Sequence, residues 1–256
     1  MKKILITTLM LTVSTMLLFG CKEKEVTQEP APAPPTQETV VQEPEKPAEQ
    51  ESSREDLLAI FPQDDTQRYY HGYAEFGYAS KFAGESKNGT SDVLKYEGYM
   101  VDGEGDDPND RTFVEEVEIA EDGTVTFKTE KSKSFGLYDS LHLRDSIIEN
   151  QIILKLPLEQ GTKWEQTFNF KGKELVAQNE LVEAEGEKGS RTYKVQTVVK
   201  NVEDFLDNTY TETRVYQDGK GLVQFENRLP LSIFSSDAPG LTQEDYSFAY
   251  SLVEAQ

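Results

Sequence analysis

The chain begins with a short apolar segment that has charged residues on both sides. Lys2 and Lys3 precede the apolar run 4–19, and Gly20 and Cys21 follow it, immediately before Lys22. The run is shorter than the roughly 20 apolar residues that a membrane-spanning helix needs. A basic start, an apolar middle and a small residue at the end are typical of a secretory signal peptide. The pattern therefore predicts a signal peptide over residues 1–20.

Polar residues and prolines dominate the next segment. Six prolines lie between Lys22 and Ser53, interleaved with Glu, Gln and Thr and with few large apolar residues. Such a composition buries too little apolar surface to offset the entropy lost on ordering. We therefore expect residues 21–53 to form a disordered linker that holds the following domain away from the membrane.

After residue 53 the apolar positions follow the periods of regular secondary structure. The stretch from Ser53 to Phe61 is typical of a short helix, because acidic residues fill its first turn and Pro62 follows it. Beyond it, apolar and polar residues alternate, as in strands with one buried face, and predict roughly ten to twelve strands. The sets that share a predicted face are Tyr70, Ala74, Phe76, Tyr78 and Phe82; Phe113, Val117 and Ile119; Val125 and Phe127; Trp164, Phe168 and Phe170; Tyr193, Val195, Thr197 and Val199; and Tyr246, Phe248, Tyr250 and Leu252.

Turn signals separate these segments. Asn88-Gly89 and Asp122-Gly123 predict type I′ hairpins, and Asp218-Gly219 predicts another reversal. The segment 147–154 fits either a buried strand or a helical turn. No helical pattern of ten or more residues recurs between strands, so a parallel sheet is not expected. The fold class is therefore mainly β: one domain over residues 54–256, with an antiparallel meander that forms a half-barrel or a sandwich after one short N-terminal helix.

The end of the signal peptide resembles a known processing motif. Leu18-Phe19-Gly20-Cys21 is similar to the lipobox of bacterial lipoproteins. The resemblance implies cleavage before Cys21 and attachment of diacylglycerol to its sulfur, with fatty acids such as palmitate holding the chain in the bilayer. The implied location is the extracellular face of the cell membrane. An uncleaved membrane helix and an ordinary secretory signal are the alternatives.

A second resemblance covers residues 150–226. The stretch 153–164 contains a Pro-Leu-x-x-Gly-x-x-Trp turn that ends at Trp164, and the stretch 215–224 runs through Gly-x-Gly-Leu-Val. Both are similar to segments of uncharacterised lipoproteins from Gram-positive, Clostridium-like bacteria. The resemblance implies a β-rich extracellular domain without a known activity. The residues alone also predict a turn at Gly161, a core position for Trp164 and a hairpin at Gly219 and Gly221.

Charge and cysteine content exclude several classes of function. The formal net charge is −21, which argues against binding to nucleic acid and against electrostatic binding to anionic lipid headgroups. Cys21 is the single cysteine, so a disulfide, a thiolate metal site and a cysteine nucleophile are not expected. Membrane attachment is therefore expected to come from the lipid on Cys21.

Few residues are candidates for catalysis. His71 and His142 are the two histidines, and no serine lies in a Gly-x-Ser-x-Gly motif, so a Ser-His-Asp site is not expected. Residues 131–134 alternate Lys and Ser and are interpreted as a solvated face. With 47 acidic residues, the sequence does not single out a pair of carboxylates for glycoside hydrolysis. We therefore expect no enzyme, with an envelope hydrolase as the alternative.

One acidic run is a candidate metal site. It contains Asp102, Glu104, Asp106, Asp107 and Asp110. Hard oxygen ligands at alternate positions suit Ca²⁺, and the glycines between them allow a loop to wrap around an ion. The spacing of an EF-hand is absent, so a solvated loop is the alternative. No other metal or cofactor is expected.

Aromatic residues suggest a binding function. Seven rings lie on strands that we expect to pair, and they occupy both strand faces: Tyr69, Tyr70, Tyr73, Phe76, Tyr78, Tyr96 and Tyr99. One face could line a cavity or groove for an apolar or sugar-like ligand. We therefore predict a lipid-anchored envelope lipoprotein whose β domain binds an unidentified ligand or protein partner. A carrier of hydrophobic cargo is a further alternative.

The lipid anchor is tested by substituting Cys21. The Cys21→Ser variant lacks the sulfur that carries the lipid, so it should be released into the medium or remain as uncut precursor. Fractionation of producing cells, with immunodetection of the chain, measures this. Unchanged retention in the membrane fraction would contradict lipidation.

Overall fold

The structure is a computed structural model that describes residues 52–73, 76–101, 111–233 and 247–253. These residues belong to one compact unit, Glu49–Gln256. The predicted signal peptide, Cys21, most of the linker, the acidic run 102–110, Ala74 and Tyr246 lie outside the described residues.

The described residues form twelve β-strands, two short α-helices and two 3₁₀ turns. The α-helices are α1 (Arg54–Ile60) and α2 (Leu137–Ser140), and the 3₁₀ turns are Leu206–Asn208 and Leu231–Ile233. The strands are β1 (Arg68–Gly72), β2 (Gly77–Asn88), β3 (Ser91–Met100), β4 (Thr112–Ile119), β5 (Thr124–Lys131), β6 (Gln151–Lys155), β7 (Lys163–Phe170), β8 (Lys173–Glu185), β9 (Thr192–Lys200), β10 (Thr209–Gln217), β11 (Gly221–Arg228) and β12 (Ser247–Val253).

All the strands belong to one antiparallel sheet. Its order is β6-β5-β4-β3-β2-β1-β12-β11-β10-β9-β8-β7, so strands adjacent in sequence pair with each other except β6 and β7, and β1 pairs with β12. The sheet curls until its edge strands β6 and β7 meet, which makes a nearly closed barrel. The predicted fold class, a mainly β antiparallel meander, is confirmed.

Side chains, rather than a backbone ladder, join the two edge strands. The Gln166 side chain accepts a hydrogen bond from the Ile152 amide at 2.7 Å and donates one to the Asn150 carbonyl at 2.9 Å. The indole N–H of Trp164 donates to the Ile152 carbonyl at 3.1 Å. These bonds satisfy backbone groups that an open edge would expose to solvent. Trp164 is buried in the core, as the sequence predicts.

The first helix forms where the sequence predicts it. Ser53 is its N-cap, and Ser53 and Asp56 form a capping box that satisfies backbone N–H groups of the first turn. Leu57 and Ile60 are fully buried on its inner face. Ser52 also belongs to the folded unit, because its hydroxyl accepts a hydrogen bond from the Leu158 amide at 2.7 Å. The folded unit therefore includes Ser52, which precedes the predicted start of the domain at residue 54.

Helix α1 packs against one end of the barrel. Its contacts reach three hairpin turns: Arg54 donates to the Thr90 carbonyl, Lys188 pairs with Asp56 at 2.6 Å, and the Gly219 amide donates to the Ala59 carbonyl at 2.8 Å. Leu57 and Ile60 thereby join the core cluster that contains Trp164.

The connection from β5 to β6 packs inside the barrel. Its residues Leu143, Arg144, Ile147 and Ile148 are all buried. Two hydrogen bonds tie its backbone to strands other than its sequence neighbours: Tyr250 Oη donates to the Arg144 carbonyl at 3.1 Å, and Asn227 donates to the His142 carbonyl at 2.6 Å. This inner connection, residues 132–150, brings charged side chains into the barrel.

Two local predictions differ from the structure, and one that was open between a strand and a helical turn is now decided. Tyr70 and Tyr78 share the barrel interior but lie on separate strands, because the chain reverses between β1 and β2. The Asn88-Gly89 and Asp122-Gly123 turns are not type I′, since only the glycine of each pair has a positive φ. Segment 147–154 supplies strand β6 only from Gln151 onward.

Within the described ranges, no helix is long and apolar enough to cross a membrane.

The side-chain closure of the barrel can be tested with Gln166→Ala. This variant removes both bonds that Gln166 makes to the β6 side, so the free energy of unfolding should fall by about 1–2 kcal/mol. Urea denaturation measures the loss, and hydrogen exchange should show faster exchange at the Ile152 amide. Gln178→Ala on β8 removes only an exposed contact at 3.5 Å and serves as the control. Equal stability and unchanged exchange in the two variants would contradict this closure.

Candidate functional site

Charged side chains occupy inward positions on the strands. On β10, Tyr210, Glu212, Arg214 and Tyr216 follow one another at alternate positions, and all four are almost completely buried. Inward positions of a barrel normally carry apolar residues that fill the core. Burial of a charge is unfavourable unless it is paired and hydrogen-bonded. These positions are therefore the first candidates for a site.

Arg144 is the centre of one buried ion cluster. Its guanidinium pairs with Glu115 of β4 and with Asp145 at 2.9 Å, and only 4% of the residue is exposed. The guanidinium carbon lies 3.5 Å from the ring centre of Phe113 and 5.1 Å from that of Tyr78. Aromatic faces stabilise a cation at such distances. Arg144 is therefore held between two carboxylates and two rings.

Lys131 extends this cluster toward the outside of the barrel. Its ammonium group pairs with Asp139 and also with Asp145 at 2.7 Å. Asp139 in turn accepts hydrogen bonds from the Ser134 hydroxyl and the Phe135 amide. The interpretation of residues 131–134 as a solvated face is therefore wrong for Lys131, because the inner connection folds back over the end of β5.

Arg214 is the centre of a second cluster. Its Nε donates to Glu212 at 2.8 Å, and its Nη2 donates to the Gln151 side chain at 2.9 Å. Glu212 also accepts hydrogen bonds from Gln151 at 2.5 Å and from Tyr210 at 2.8 Å. Three hydrogen-bond donors, from Arg214, Gln151 and Tyr210, therefore compensate the buried Glu212 carboxylate for the loss of its hydration.

An inner cavity of about 60 Å³ lies between the two arginines. Its lining is aromatic and basic, with one carboxylate among the described residues. The lining includes the tyrosines Tyr70, Tyr78, Tyr96, Tyr216 and Tyr250, the basic residues Arg68, Arg144, Arg214 and Lys220, and the carboxylate Glu115. Arg144 Nε is buried and has no hydrogen-bond partner.

A larger cavity, the lateral groove, lies beside β5 and the turn between β7 and β8. Its volume is about 570 Å³, within the usual range for small-ligand sites. Its lining includes the cations Lys128, Lys131, Lys171 and Arg214, the acids Asp139, Asp145 and Glu149, and the apolar residues Phe127, Ile147, Ile148 and Phe170. The Thr129 hydroxyl, also in this lining, is buried without a hydrogen-bond partner.

Arg214 and Phe127 line both the inner cavity and the lateral groove. The guanidinium carbon of Arg214 lies 5.5 Å from the ring centre of Phe127. These two side chains therefore form a shared wall between the two spaces.

The environment shifts the acids of the two clusters in different directions. Burial raises the pKa of Glu115 above its ordinary value, although Arg144 opposes the shift. Burial also acts to raise the pKa of Asp145 and of Glu212, but the adjacent arginines outweigh it and both pKa values are lowered. Glu115 is therefore the acid in these clusters that most readily takes up a proton.

The structure separates the residues that sequence analysis singled out. His71 is exposed on β1, while His142 lies on the inner connection with its ring 5.8 Å from that of Phe170. Burial lowers the pKa of His142. Cys21 and the candidate Ca²⁺ run at 102–110 lie outside the described residues. The described part of the chain contains no group of three His, Cys, Asp or Glu residues arranged to hold a metal.

Sequence analysis did not single out the residues that form this site. Glu212 and Arg214 lie between Tyr210 and Tyr216 at the spacing of one strand face, and this alternation was available as a signal. Arg144 gave no such signal, because its position depends on the path of the inner connection. The predicted aromatic lining of a cavity holds for some of the rings and not for others. Tyr70, Tyr78 and Tyr96 line the inner cavity, whereas Tyr69 and Tyr73 are exposed.

Comparison with known proteins identifies no family. No protein-family model matches the chain, and no curated protein matches its sequence. A Bacteroides fragilis protein that is thought to be exported and has a YmcC-like fold aligns with a TM-score of 0.43 and 12% identity. A Parabacteroides distasonis protein that is thought to be a lipoprotein aligns with a TM-score of 0.41 and 10% identity. Each alignment covers 75% of this chain and 96% of the other.

Structural similarity with a TM-score below 0.5 and identities of 10–12% does not indicate what this chain does. Neither protein comes from the Gram-positive, Clostridium-like bacteria of the sequence resemblance. That origin therefore stays a prediction.

The raised pKa of Glu115 predicts a pH dependence of stability. Between the unfolded value of about 4.5 and the raised folded value, the folded chain binds more protons than the unfolded chain. Stability should therefore fall as pH rises through this window, by at most about 1.4 kcal/mol per pH unit. Glu115→Gln removes this contribution, so the stability of the natural chain relative to the variant should decline from pH 4.5 upward in urea denaturation.

Asp64→Asn is a control of opposite sign. Arg68 and Thr66 lower the pKa of Asp64 to about 2, so its contribution is present above pH 4 and is lost as pH falls toward 2. A stability difference between the natural chain and Glu115→Gln that did not change with pH would refute the Glu115 prediction.

Proposed function

We propose that this chain is a lipoprotein of the bacterial cell envelope, anchored through Cys21, whose barrel binds a small polar ligand in the lateral groove without catalysing a reaction. The observation that carries the proposal is the groove itself, because it combines a volume of about 570 Å³ with charges of both signs and an apolar wall. Sites for small ligands are built in this way, from apolar surface and a few placed polar groups.

The charges of the groove indicate the class of ligand. Lys171 lies at the exposed rim and makes no ion pair with the described residues, and Glu149 is exposed at the same groove. A ligand with a cationic and an anionic group beside an apolar body complements this lining, and a short peptide is the simplest example.

The two alternative functions receive less support from the same geometry. For a hydrolase, two carboxylates must face one cleft. Asp139, Asp145 and Glu149 line the lateral groove together, but Lys131 pairs with Asp139 and Asp145, and the pKa values of both are lowered. Glu115, whose pKa is raised as a general acid requires, lines the inner cavity and not this groove. For a carrier of hydrophobic cargo, the inner cavity of about 60 Å³ is smaller than the roughly 150 Å³ that holds benzene.

The proposal is tested by identifying what the groove retains. The full chain, purified in mild detergent from its own membrane, should carry a polar small molecule that native mass spectrometry detects. Lys171→Glu reverses a charge at the groove rim, so the bound fraction should fall by at least about fivefold.

Lys81→Glu is the matched control, because it makes the same charge change at an exposed position on β2 away from the groove. It should retain the ligand at the natural level. Equal retention by both variants, or no bound molecule in the natural chain, would overturn the proposal.

A further inference from the structure

The lateral groove lies where the sheet has an open edge. The ladder between β5 and β6 ends at the pair of Phe127 and Gln151, next to the bend at Asn150, whose φ of 49° lies in the left-handed region. Strand β5 continues to Lys131, and its residues 128–131 pair with β4 alone among the described strands. The end of β5 therefore borders the groove without a described strand beside it.

The ladder on the other side of β5 determines which of its backbone groups face this gap. The Thr112 carbonyl accepts a hydrogen bond from the Ser132 amide at 2.9 Å, and the Thr124 carbonyl accepts one from the residue that follows β4. Successive residues of an antiparallel strand direct their N–H and C=O groups to opposite neighbours. The register between β4 and β5 has no shift, so the even-numbered residues of β5 bond to β4. The backbone N–H and C=O groups of Thr129 and Lys131 therefore point into the gap.

Strand β7 forms the opposite side of the gap. Asn169 and Phe170, at the end of β7, line the groove together with the end of β5. Strand β6 lies between β5 and β7, where it pairs with β5 by a backbone ladder and is joined to β7 by the side chains of Trp164 and Gln166. The gap therefore continues the line of β6 and has room for one strand.

We propose that the ligand of the lateral groove is a peptide in an extended conformation, which adds to the sheet as a strand antiparallel to β5. This inference rests on the proposed function, because it names the class of ligand that the groove binds. Open sheet edges bind extended peptides in this way, and main-chain hydrogen bonds provide the affinity. At about 3.4 Å per residue, the open edge 128–131 spans roughly 14 Å and accommodates about four or five peptide residues.

The same pairing determines which peptide side chains enter the groove. Thr129 and Lys131 lie on the inward face of β5, because Phe113, opposite Lys131 on β4, is buried in the barrel. Residues directly opposite each other in an antiparallel pair have their side chains on the same face. The peptide residues that bond to Thr129 and Lys131 therefore also point inward, toward the apolar residues Phe127 and Ile148 of the groove. Apolar residues at alternate peptide positions suit this arrangement.

A blocked pentapeptide, acetyl-Thr-Val-Thr-Val-Thr-amide, tests strand addition to the full chain in mild detergent. At about 5 mM peptide, hydrogen exchange should slow at least about threefold at the Thr129 and Lys131 amides, because these amides become hydrogen-bonded. The Lys128 and Glu130 amides bond to β4 with or without peptide, so their exchange should not change. Mass spectrometry with fragmentation to single residues measures all four amides. Unchanged exchange at Thr129 and Lys131, or equal slowing at all four, would overturn the proposal.

Methylation of the peptide nitrogens separates backbone pairing from side-chain contacts. The two valines are the residues whose N–H groups face β5, so the peptide with both valines N-methylated should no longer slow exchange at Thr129 and Lys131. The peptide with two threonines N-methylated is the matched control and should retain the slowing, because those nitrogens face away from β5. Equal effects of the two methylated peptides would refute pairing with β5.

Two substitutions at one position test the same bond from the side of the protein. Thr129→Pro removes the N–H group that faces the gap, which an edge position tolerates, so half-maximal slowing at Lys131 should need at least about fivefold more peptide. Thr129→Val keeps this N–H group and the shape of the side chain, so it should bind as the natural chain does. Equal peptide binding by the two variants would contradict the proposal. If Thr129→Pro does not fold, the two methylated peptides still decide between the outcomes.

The exchange of the chain without peptide identifies other occupants of the edge. Slow exchange at Thr129 and Lys131 before peptide is added would overturn the proposal, and a dependence of this slow exchange on protein concentration would indicate a second copy. The blocked peptide carries no charge, so Lys171→Glu should leave its binding unchanged. A retained molecule that is lost in Lys171→Glu, together with no effect of the peptide, would support the groove function and refute strand addition.

Discussion

A sheet of twelve strands that curls into a barrel encloses more space than the side chains of its own strands fill, and this constraint governs the structure. Protein interiors are close-packed, so the space must be occupied. Two segments outside the strands do so: α1 packs against one end through Leu57 and Ile60, and the inner connection adds Ile147 and Ile148 from within. The inner cavity and the lateral groove are the space that these segments leave.

The way in which the interior is filled explains its polarity. The inner connection brings Arg144 into the barrel, where Glu115 and Asp145 compensate its charge. Arg214 is compensated in the same way by Glu212. Buried ion pairs of this kind contribute little net stability compared with apolar side chains of the same volume. The proposed binding of a polar ligand would give these charges a role that packing alone does not.

The proposed function gives a role both to the N-terminal segment, as a lipid anchor and linker, and to the barrel, as a binding domain. A lipid on Cys21 and a linker rich in proline would keep a strongly acidic barrel near the membrane but away from its anionic headgroups. The lateral groove, with a charged rim, suits ligands taken directly from the surrounding solvent. Arg214 and Phe127 line both spaces, so the inner cavity and the lateral groove share one wall.

The sequence by itself determined the elements whose signals are local. Alternating apolar residues predict the strands, Ser53 and Pro62 predict the limits of α1, and positive φ values at Gly161 and Gly219 occur where the turns were expected. The buried position of Trp164 also followed from its surroundings in the sequence. Each of these features depends on neighbours a few residues away, which is why a single sequence reveals it.

Only the tertiary structure decided how the sheet closes and which charged residues lie inside it. Gln166 joins β6 to β7 across the whole sheet, and Arg144 meets Glu115 from 29 positions away. In the sequence each of these residues is one more polar group in a chain with 29% charged residues. Whether such a group faces solvent or the interior depends on the curvature of the sheet and on the path of one connection, and both arise from contacts between residues far apart in the chain.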